Sequence, residues 1–273
     1  MTGRAETRGS CVGGGCGLFL KQLFLREHPE IRTLTPLETR PEARTTEDID
    51  LFLRVEVVAD AERMTRLRSV LDALGFAVVE SAMFYQFWRE TASGRLKIDL
   101  LTGPLGGFEN RVQADDRRVR PKQKVALHAH PVDEAVALEE GQFAVPLVGR
   151  MSCGREHRTT VFVPQTFTYL LMKLTAFRDR AEDQDKNLGV HHALDIDRIV
   201  GLLTECEDPL VRQLNLRYRD APSVVEARRI VAADFGSDIA RGTLRLREAA
   251  RWLPKEAIGR FRAELTLLPP PIK

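Results

Sequence analysis

Two aspartates separated by one isoleucine, Asp48 and Asp50, are the residues whose type and spacing first suggest chemistry. They lie in the segment TTEDIDL, which runs into an apolar stretch typical of a β-strand. Side chains two residues apart in a strand point to the same face, so the two carboxylates repel each other. A divalent cation relieves that repulsion, and oxygen ligands suit Mg²⁺ or Mn²⁺. The alternative interpretation is a solvated strand edge with two surface aspartates.

A third carboxylate has a similar setting farther along the chain. In the segment KIDLL, Asp99 interrupts an apolar run between Ile98 and Leu100. Neighbouring strands lie about 5 Å apart, so Asp99 joins Asp48 and Asp50 if the two strands are adjacent. Three carboxylates from two strands can hold two metal ions about 3.5–4 Å apart, the arrangement used for in-line phosphoryl displacement. The sequence therefore predicts a metal site formed by these three aspartates.

A glycine-rich segment, CVGGGCG, precedes the helical pattern LFLKQLFLRE within residues 11–27. A glycine turn that leads into a helix exposes backbone N–H groups at the positive end of the helix dipole, where phosphate binds. The segment lacks the Lys-Ser/Thr pair of a P-loop and does not complete a dinucleotide fingerprint. The order of glycine turn, helix and D-x-D strand is more specific than any of its parts, and it indicates a triphosphate site.

This order resembles the signature of polymerase-β-type nucleotidyltransferases, in which GG or GS is followed by R-x-T-x-D-x-D. The matching segments are GGCGL at residues 14–18 and RTTEDIDL at residues 44–51. Within that family the chain is most similar to the AbiEii/AbiGii-type toxins of bacterial abortive-infection and toxin–antitoxin systems. These toxins also carry a helix with K-x-x-A-x-x-x-R, matched by Lys173 and Arg180, and a following acidic helix, matched by Asp195 in HHALDID.

The resemblance covers residues 12–203 and implies roles for residues in the first part of the chain. It implies that the three aspartates are catalytic and ligate the metal ions. It implies that Gly14, Gly15 and Cys16 contact the nucleotide. Arg44 and Thr46 would either contact phosphate as well or support the strand that carries the metal ligands. Cys16 stands where the family usually has Ser or Thr, so a thiol replaces the hydroxyl contact to phosphate.

In the second part of the chain the resemblance assigns Lys173 and Asp195 to catalysis. Lys173 would neutralise phosphate charge together with Arg180, and Asp195 would position or deprotonate the acceptor, or orient Lys173. Lys173 and Arg180 are two helical turns apart, so they share a face of a helix. Without the resemblance, a solvated basic stripe explains the same spacing equally well.

The activity implied by the resemblance is transfer of a nucleoside monophosphate from an NTP to an acceptor hydroxyl, with release of pyrophosphate and with Mg²⁺ or Mn²⁺ as cofactor. RNA, in particular a tRNA 3′ end, is the implied acceptor, and a cognate antitoxin protein is an implied partner. Transfer to a protein or to a small-molecule hydroxyl remains open. So does a non-catalytic protein that keeps the nucleotidyltransferase fold only for binding.

Basic residues raise the question of RNA contact independently of the resemblance. One run lies in RRVRPKQK at residues 117–124, and a second group lies in the last helices. The second group comprises Arg241, Arg245, Arg247 and Arg251. Either group could follow a phosphate backbone, and either could be a solvated surface.

The elements that must position these residues divide the chain into two parts. IDLFLRVEVV, AVVESAMFYQFWRE and RLKIDLLTG predict strands, the last two joined as a hairpin by TASG. Asp60 predicts the N-cap of a helix that ends at Gly75. Apolar residues with helical spacing follow Pro164, which suits a first helical turn. We therefore expect an α+β fold, with a polymerase-β-like catalytic domain of mixed sheet and flanking helices at residues 1–163. A helical domain at residues 164–273 would complete the nucleotide and acceptor site.

The composition is that of an ordinary globular protein. The chain has 273 residues, of which 43% are hydrophobic and 29% charged, and a net charge of +2 that says little about partners. No apolar run approaches the ~20 residues that span a bilayer, so no membrane association is expected. The segment MTGRAETRGS lacks a hydrophobic signal core, which predicts a cytoplasmic location with the four cysteines reduced.

Overall fold

The computed structural model describes residues 10–37, 43, 47–82, 84–92, 94–151 and 153–267. The chain contains both helices and a mixed sheet, as the α+β prediction requires, and it divides into two compact units. Unit 1 comprises Met1–Lys21, Arg44–Asp133 and Gln142–Pro164, and unit 2 comprises Gln22–Ala43, Glu134–Gly141 and Gln165–Lys273. Within the described ranges, no helix has the length and apolar character needed to cross a bilayer.

Unit 1 holds the strands of the structure. They are β1 (Ser10–Val12), β2 (Asp48–Leu53), β3 (Ala77–Val78), β4 (Gln86–Thr91), β5 (Gly94–Thr102), β6 (Val112–Ala114), β7 (Val119–Pro121), β8 (His130–Pro131), β9 (Phe143–Arg150) and β10 (Glu156–Val163). The main sheet has the order β1-β2-β5-β4-β3, and β8 also pairs with β5. β2 and β5 run parallel, whereas β4 and β5 form the predicted antiparallel hairpin. The pairs β6–β7 and β9–β10 form separate two-stranded sheets.

The helices of unit 1 are α1 (Gly14–Glu27), whose residues from Gln22 onward belong to unit 2, α2 (Val55–Val58) and α3 (Ala61–Ala73). Asp60 caps α3 as predicted, because its carboxylate accepts hydrogen bonds from the backbone N–H groups of Glu62 and Arg63. Met64 and Leu71 of α3 pack in the core of unit 1, which also includes one face of the main sheet. The other face of the sheet carries the predicted site.

The strand predicted over IDLFLRVEVV is only partly correct. β2 ends at Leu53, and Val55–Val58 form one turn of helix. Val55 and Val58 are both buried, and residues three apart share a side only in a helix. The prediction failed because three valines around one glutamate fit a strand and a single helical turn equally well.

The strand predicted over AVVESAMFYQFWRE is also interrupted. A 3₁₀ turn at Glu80–Ala82 separates β3 from β4, and Phe84 has a φ of 72°. A residue with positive φ cannot continue an extended strand, so the apolar run contains two short strands instead of one.

Unit 2 is helical. Its elements are α4 (Thr166–Arg180), α5 (Val190–Gly201), α6 (Asp208–Arg217), α7 (Pro222–Ile230), α8 (Arg241–Ala249) and α9 (Lys255–Leu267). α4 begins at Thr166 and not at Pro164, because the Gln165 side chain accepts a hydrogen bond from the Thr168 backbone N–H and so acts as the N-cap. The rings of Phe177 and Phe235, 5.3 Å apart between centroids, lie in its core.

Candidate functional site

The three aspartates lie on one face of the main sheet. In the parallel pairing of β2 with β5, Asp50 is the direct partner of Asp99, and Asp48 is the partner of Lys97. Asp48 and Asp50 share a face because they are two residues apart, and direct partners on neighbouring strands share a face as well. The predicted adjacency of the third carboxylate is therefore confirmed. Leu53 of β2 and Leu100 of β5 point the other way, into the core.

The start of α1 lies directly against Asp50. Gly14 has a φ of 58°, and a Cβ atom at this position would collide with the Asp50 carboxylate. The backbone N–H of Gly13 donates a 2.8 Å hydrogen bond to the carbonyl oxygen of Asp50. The glycine segment is thus tied to β2, and only a residue without a side chain allows the carboxylate to approach so closely.

The predicted glycine turn is itself the first turn of α1, since the helix begins at Gly14 and includes Gly15 and Cys16. The Cys16 thiol is half-buried, and burial together with the negative charge of Asp50 raises its pKa above the usual value of 9.0. Cys16 is therefore a neutral thiol at pH 7. A neutral thiol is a weak hydrogen-bond donor.

A lysine that the sequence analysis did not consider contacts the carboxylate face. The Lys97 ammonium lies 3.0 Å from Oδ2 of Asp99, and the two residues share a face of β5. The other oxygen, Oδ1 of Asp99, is buried and has no hydrogen-bond partner among the residues that the structure describes. Lys97 thus neutralises one oxygen of Asp99, whereas the other oxygen is enclosed by the protein.

The donor chemistry of this face fits a hard divalent cation, since three carboxylates supply only oxygen ligands. Within the described part of the chain, no three His, Cys, Asp or Glu side chains are grouped closely enough to hold a metal ion. A metal-bound arrangement therefore requires side-chain movement on β2 and β5, and Asp99 has to leave Lys97. Metal ligation by Asp48, Asp50 and Asp99 stays a prediction.

In unit 2 the two residues assigned to catalysis form an ion pair between α4 and α5. The Lys173 ammonium lies 2.9 Å from Oδ2 of Asp195, and Arg198 lies 3.4 Å from Oδ1. The side chains of Lys173 and Asp195 are only 12% and 10% exposed. Burial raises the pKa of Asp195, but the charges of Lys173 and Arg198 and the Lys173 hydrogen bond outweigh burial and lower it overall. Asp195 is therefore ionised and fully engaged.

His192 is a further titratable residue next to this pair. Burial, and then the positive charge of Lys173, lowers its pKa to about 4, although Asp195 opposes the shift. Its Nδ1 atom is buried and accepts or donates no hydrogen bond within the described residues. Arg180, at the end of α4, is exposed and adds positive charge near His192. His192 is thus a neutral imidazole in a positively charged environment.

Arg44 and Thr46, which the resemblance assigns to the nucleotide, lie outside the described residues. Sequence reasoning missed Lys97, Arg198 and the environment of His192. For Lys97 a signal existed, because it stands two residues before Asp99 and so shares its strand face. Arg198 follows Asp195 by three residues, a spacing that brings side chains together on a helix.

Much of the basic surface is already paired with acidic residues. In unit 2, Arg241 contacts Asp234 and Glu182, and Arg245 contacts Glu248. In unit 1, the Asp115 carboxylate accepts hydrogen bonds from the backbone N–H groups of Arg117 and Arg118 and from the Arg118 side chain. Contact of these groups with RNA stays a prediction.

Comparisons of the sequence with protein-family models and with curated proteins, and a comparison with solved structures, found no match.

Proposed function

We propose that the chain is a divalent-metal-dependent nucleotidyltransferase that moves a nucleoside monophosphate from an NTP to an acceptor hydroxyl. The observation that carries the proposal is the register of β2 and β5, which sets Asp50 beside Asp99 on the face that also bears Asp48. Adjacent carboxylates repel, and a structural role would not require three of them on one face. Metal binding gives them a function.

Different residues of this face would bind different parts of an NTP and its metal ions. Asp48, Asp50 and Asp99 would hold one or two Mg²⁺ or Mn²⁺ ions, which supply charge neutralisation at the reacting phosphoryl group and at the pyrophosphate. The backbone N–H groups at the start of α1 would donate hydrogen bonds to phosphate oxygens, because they lie at the positive end of the helix dipole. Gly14 allows the phosphate and the Asp50 carboxylate to occupy neighbouring positions.

Unit 2 contains a separate cluster of charged residues, in which Lys173 and Arg198 share Asp195. Lys173 donates a 2.9 Å hydrogen bond to Oδ2 of Asp195, which restricts the position of its ammonium. Arg198 shares Asp195, which leaves the cluster of these three residues with a net positive charge. The resemblance assigns Lys173 and Arg180 to the binding of phosphate, and this assignment stays a prediction.

The acceptor that we propose is RNA, with a tRNA 3′ end as the specific candidate and growth inhibition as the consequence, in a toxin–antitoxin or phage-defence system. This part of the proposal rests on the resemblance of the motifs alone. A protein hydroxyl and a small-molecule hydroxyl are the alternative acceptors. A non-catalytic protein that binds nucleotide or RNA on the same surface is the second functional class.

The test is incubation of the full chain with each of the four α-labelled NTPs, Mg²⁺ and either total RNA or cell lysate. We expect the label to appear in a discrete RNA band with one preferred NTP. Asp50→Asn and Asp48→Asn should reduce the transfer by about 10³-fold, because the metal ions lose a ligand. Asp72→Asn is the matched control, since it removes an exposed carboxylate of α3 in the same unit and should leave the rate unchanged.

The same experiment separates the alternatives. Label in a protein band or in a small molecule identifies a different acceptor for the same chemistry. NTP binding without transfer to any acceptor, at wild-type level in Asp50→Asn, would overturn the enzymatic proposal in favour of a binding protein.

A further inference from the structure

Lys97 of β5 forms an ion pair with Asp99 on the carboxylate face. In the register of β2 and β5 its Cα pairs with that of Asp48. Its ammonium contacts Asp99 at 3.0 Å, and its side chain is 30% exposed whereas that of Asp99 is 18% exposed. The lysine therefore covers a partly buried carboxylate from the solvent side.

We propose that Lys97 is a resident counter-cation of the carboxylate face, which must be displaced before a divalent metal ion binds and which thereby sets the metal affinity. The proposal rests on the proposed function, because it presumes that Asp48, Asp50 and Asp99 bind metal. An ammonium and a divalent cation compete for the same carboxylate oxygens, since the two positive charges repel at contact distance. Lys97 is thus a positioning residue for Asp99 in the metal-free protein.

The neighbouring basic residue of β5 shows that this contact is specific to Lys97. Arg95 precedes Lys97 by two residues and so shares its face, but it bonds to Glu90 at 3.2 Å and lies over the Trp88 ring at 4.4 Å. Arg95 is thus engaged with β4. Among the described residues of β5, only Lys97 neutralises a carboxylate of the proposed site.

The positive charge of Lys97 is favourable on the carboxylate face when no metal ion is bound. Without metal, Asp50 and Asp99 are adjacent like charges, and a nearby ammonium reduces their repulsion. Metal binding then costs free energy, because the ion pair between Lys97 and Asp99 has to be broken. An ion pair of this partial exposure is worth up to about 1 kcal/mol, which corresponds to about fivefold in affinity. Lys97 should therefore weaken metal binding by about that factor.

The experiment measures Mn²⁺ binding to the full chain without nucleotide, by electron paramagnetic resonance of free Mn²⁺. Lys97→Met removes the competing ammonium and should bind Mn²⁺ about fivefold more tightly than wild type. Lys97→Arg keeps the charge but offers a planar fork to the carboxylate, so it should bind Mn²⁺ more weakly than wild type. Lys124→Met is the control for net charge, because it removes an exposed lysine of the same unit. Its affinity should stay within about twofold of wild type, because distant charges are screened.

The outcomes distinguish this inference from the proposed function. Saturable Mn²⁺ binding that Asp50→Asn abolishes, with equal or weaker binding in Lys97→Met, overturns the role of Lys97 and leaves the metal site standing. No saturable binding in wild type, Lys97→Met or Lys97→Arg overturns the metal site and with it both proposals. Binding in Lys97→Met alone supports the competition, since the lysine then excludes the ion. Circular dichroism of each variant verifies that the fold is retained.

Discussion

In unit 1 three carboxylates share a sheet face with one ammonium, whereas in unit 2 one carboxylate is shared by an ammonium and a guanidinium. The first group is partly exposed and carries more negative than positive side chains on β2 and β5. The second is buried between α4 and α5 and is engaged on both carboxylate oxygens. The two groups therefore differ in what holds them in place.

The two groups also differ in how their charges contribute to the stability of the folded state. In unit 2 a buried carboxylate has two cationic partners. Loss of the carboxylate leaves both cations buried without its negative charge, so the substitution lowers the stability of the folded state. Asp50 and Asp99 are adjacent like charges, so a neutral amide at either position removes a repulsion between them. Substitutions of the same type in the two units should thus have unequal effects on stability.

The largest effect is expected for Asp195→Asn. This change leaves Lys173 and Arg198 buried without their shared anion, and breaking a buried ion pair costs about 3–5 kcal/mol. Lys173→Met should cost less, because Asp195 keeps Arg198. Urea unfolding at pH 7 measures both free energies of unfolding.

The control for Asp195→Asn is Asp179→Asn. Asp179 pairs with Arg178 on the surface of unit 2, and its side chain is 53% exposed. Its substitution should change stability by less than about 1 kcal/mol. A loss below 1 kcal/mol for Asp195→Asn as well would show that the pair is hydrated in solution, and the contrast between the units would disappear.

The next effect is a pH dependence that originates from His192. Its pKa is about 4 in the folded protein and 6.5 when unfolded, so between these values only the unfolded chain binds the proton. Stability should therefore rise with pH from about 4 to about 6.5, by roughly 3 kcal/mol from this group. Below the lower value and above the upper value the contribution is constant.

His192→Gln removes this dependence while keeping a polar side chain. Unfolding free energies at pH 4.5 and pH 7 should differ less in His192→Gln than in wild type. A pKa of 6 or higher for His192 in an NMR titration of the folded protein would contradict the prediction, because the residue would then be solvated.

A smaller effect is expected for Gly14→Ala. Alanine at a φ of 58° costs roughly 1–2 kcal/mol of backbone strain, and its methyl group also meets the Asp50 carboxylate. Gly106→Ala is a matched control, because Gly106 has a φ of 57° and open space around it. The difference between the two unfolding free energies reports the contact with Asp50, and it should vanish when Asp50 is also changed to alanine. An equal loss of unfolding free energy in both glycine variants would mean that a side chain at position 14 has no steric conflict with Asp50.

These substitutions depend on features that the sequence shows to different degrees. The shared face of Asp48 and Asp50 and the hairpin that leads into Asp99 were predictable, because strand periodicity and turn composition are local properties. The helix over Val55–Val58 was not, since packing against the core chose between two local structures that the residues allow equally. Local pattern thus predicted where the site residues lie but not every element between them.

The partners of the site residues were harder to predict than the residues themselves. The contact of Asp50 with Gly14 joins positions 36 residues apart, and the Lys173–Asp195 pair joins two helices; neither distance follows from periodicity. Burial of His192 depends on the packing of unit 2 as a whole. Long-range packing therefore decides which charges are neutralised, and a single sequence contains no direct signal for it.

The smallest effect on stability is expected for Asp50→Asn without metal. The amide removes the repulsion from Asp99 and also a carboxylate at the start of α1, where a negative charge is favourable by about 0.3–1 kcal/mol. The two contributions oppose each other, so the free energy of unfolding in EDTA should stay within about 1 kcal/mol of wild type. With Mn²⁺ present, wild type should gain stability through binding to the folded state, and Asp50→Asn should gain none. A loss of several kcal/mol in EDTA would make Asp50 a structural residue like Asp195. The carboxylate face would then stabilise the fold itself. A site that serves only to bind a ligand can lose the charge of one ligand residue without a large loss in the stability of the protein.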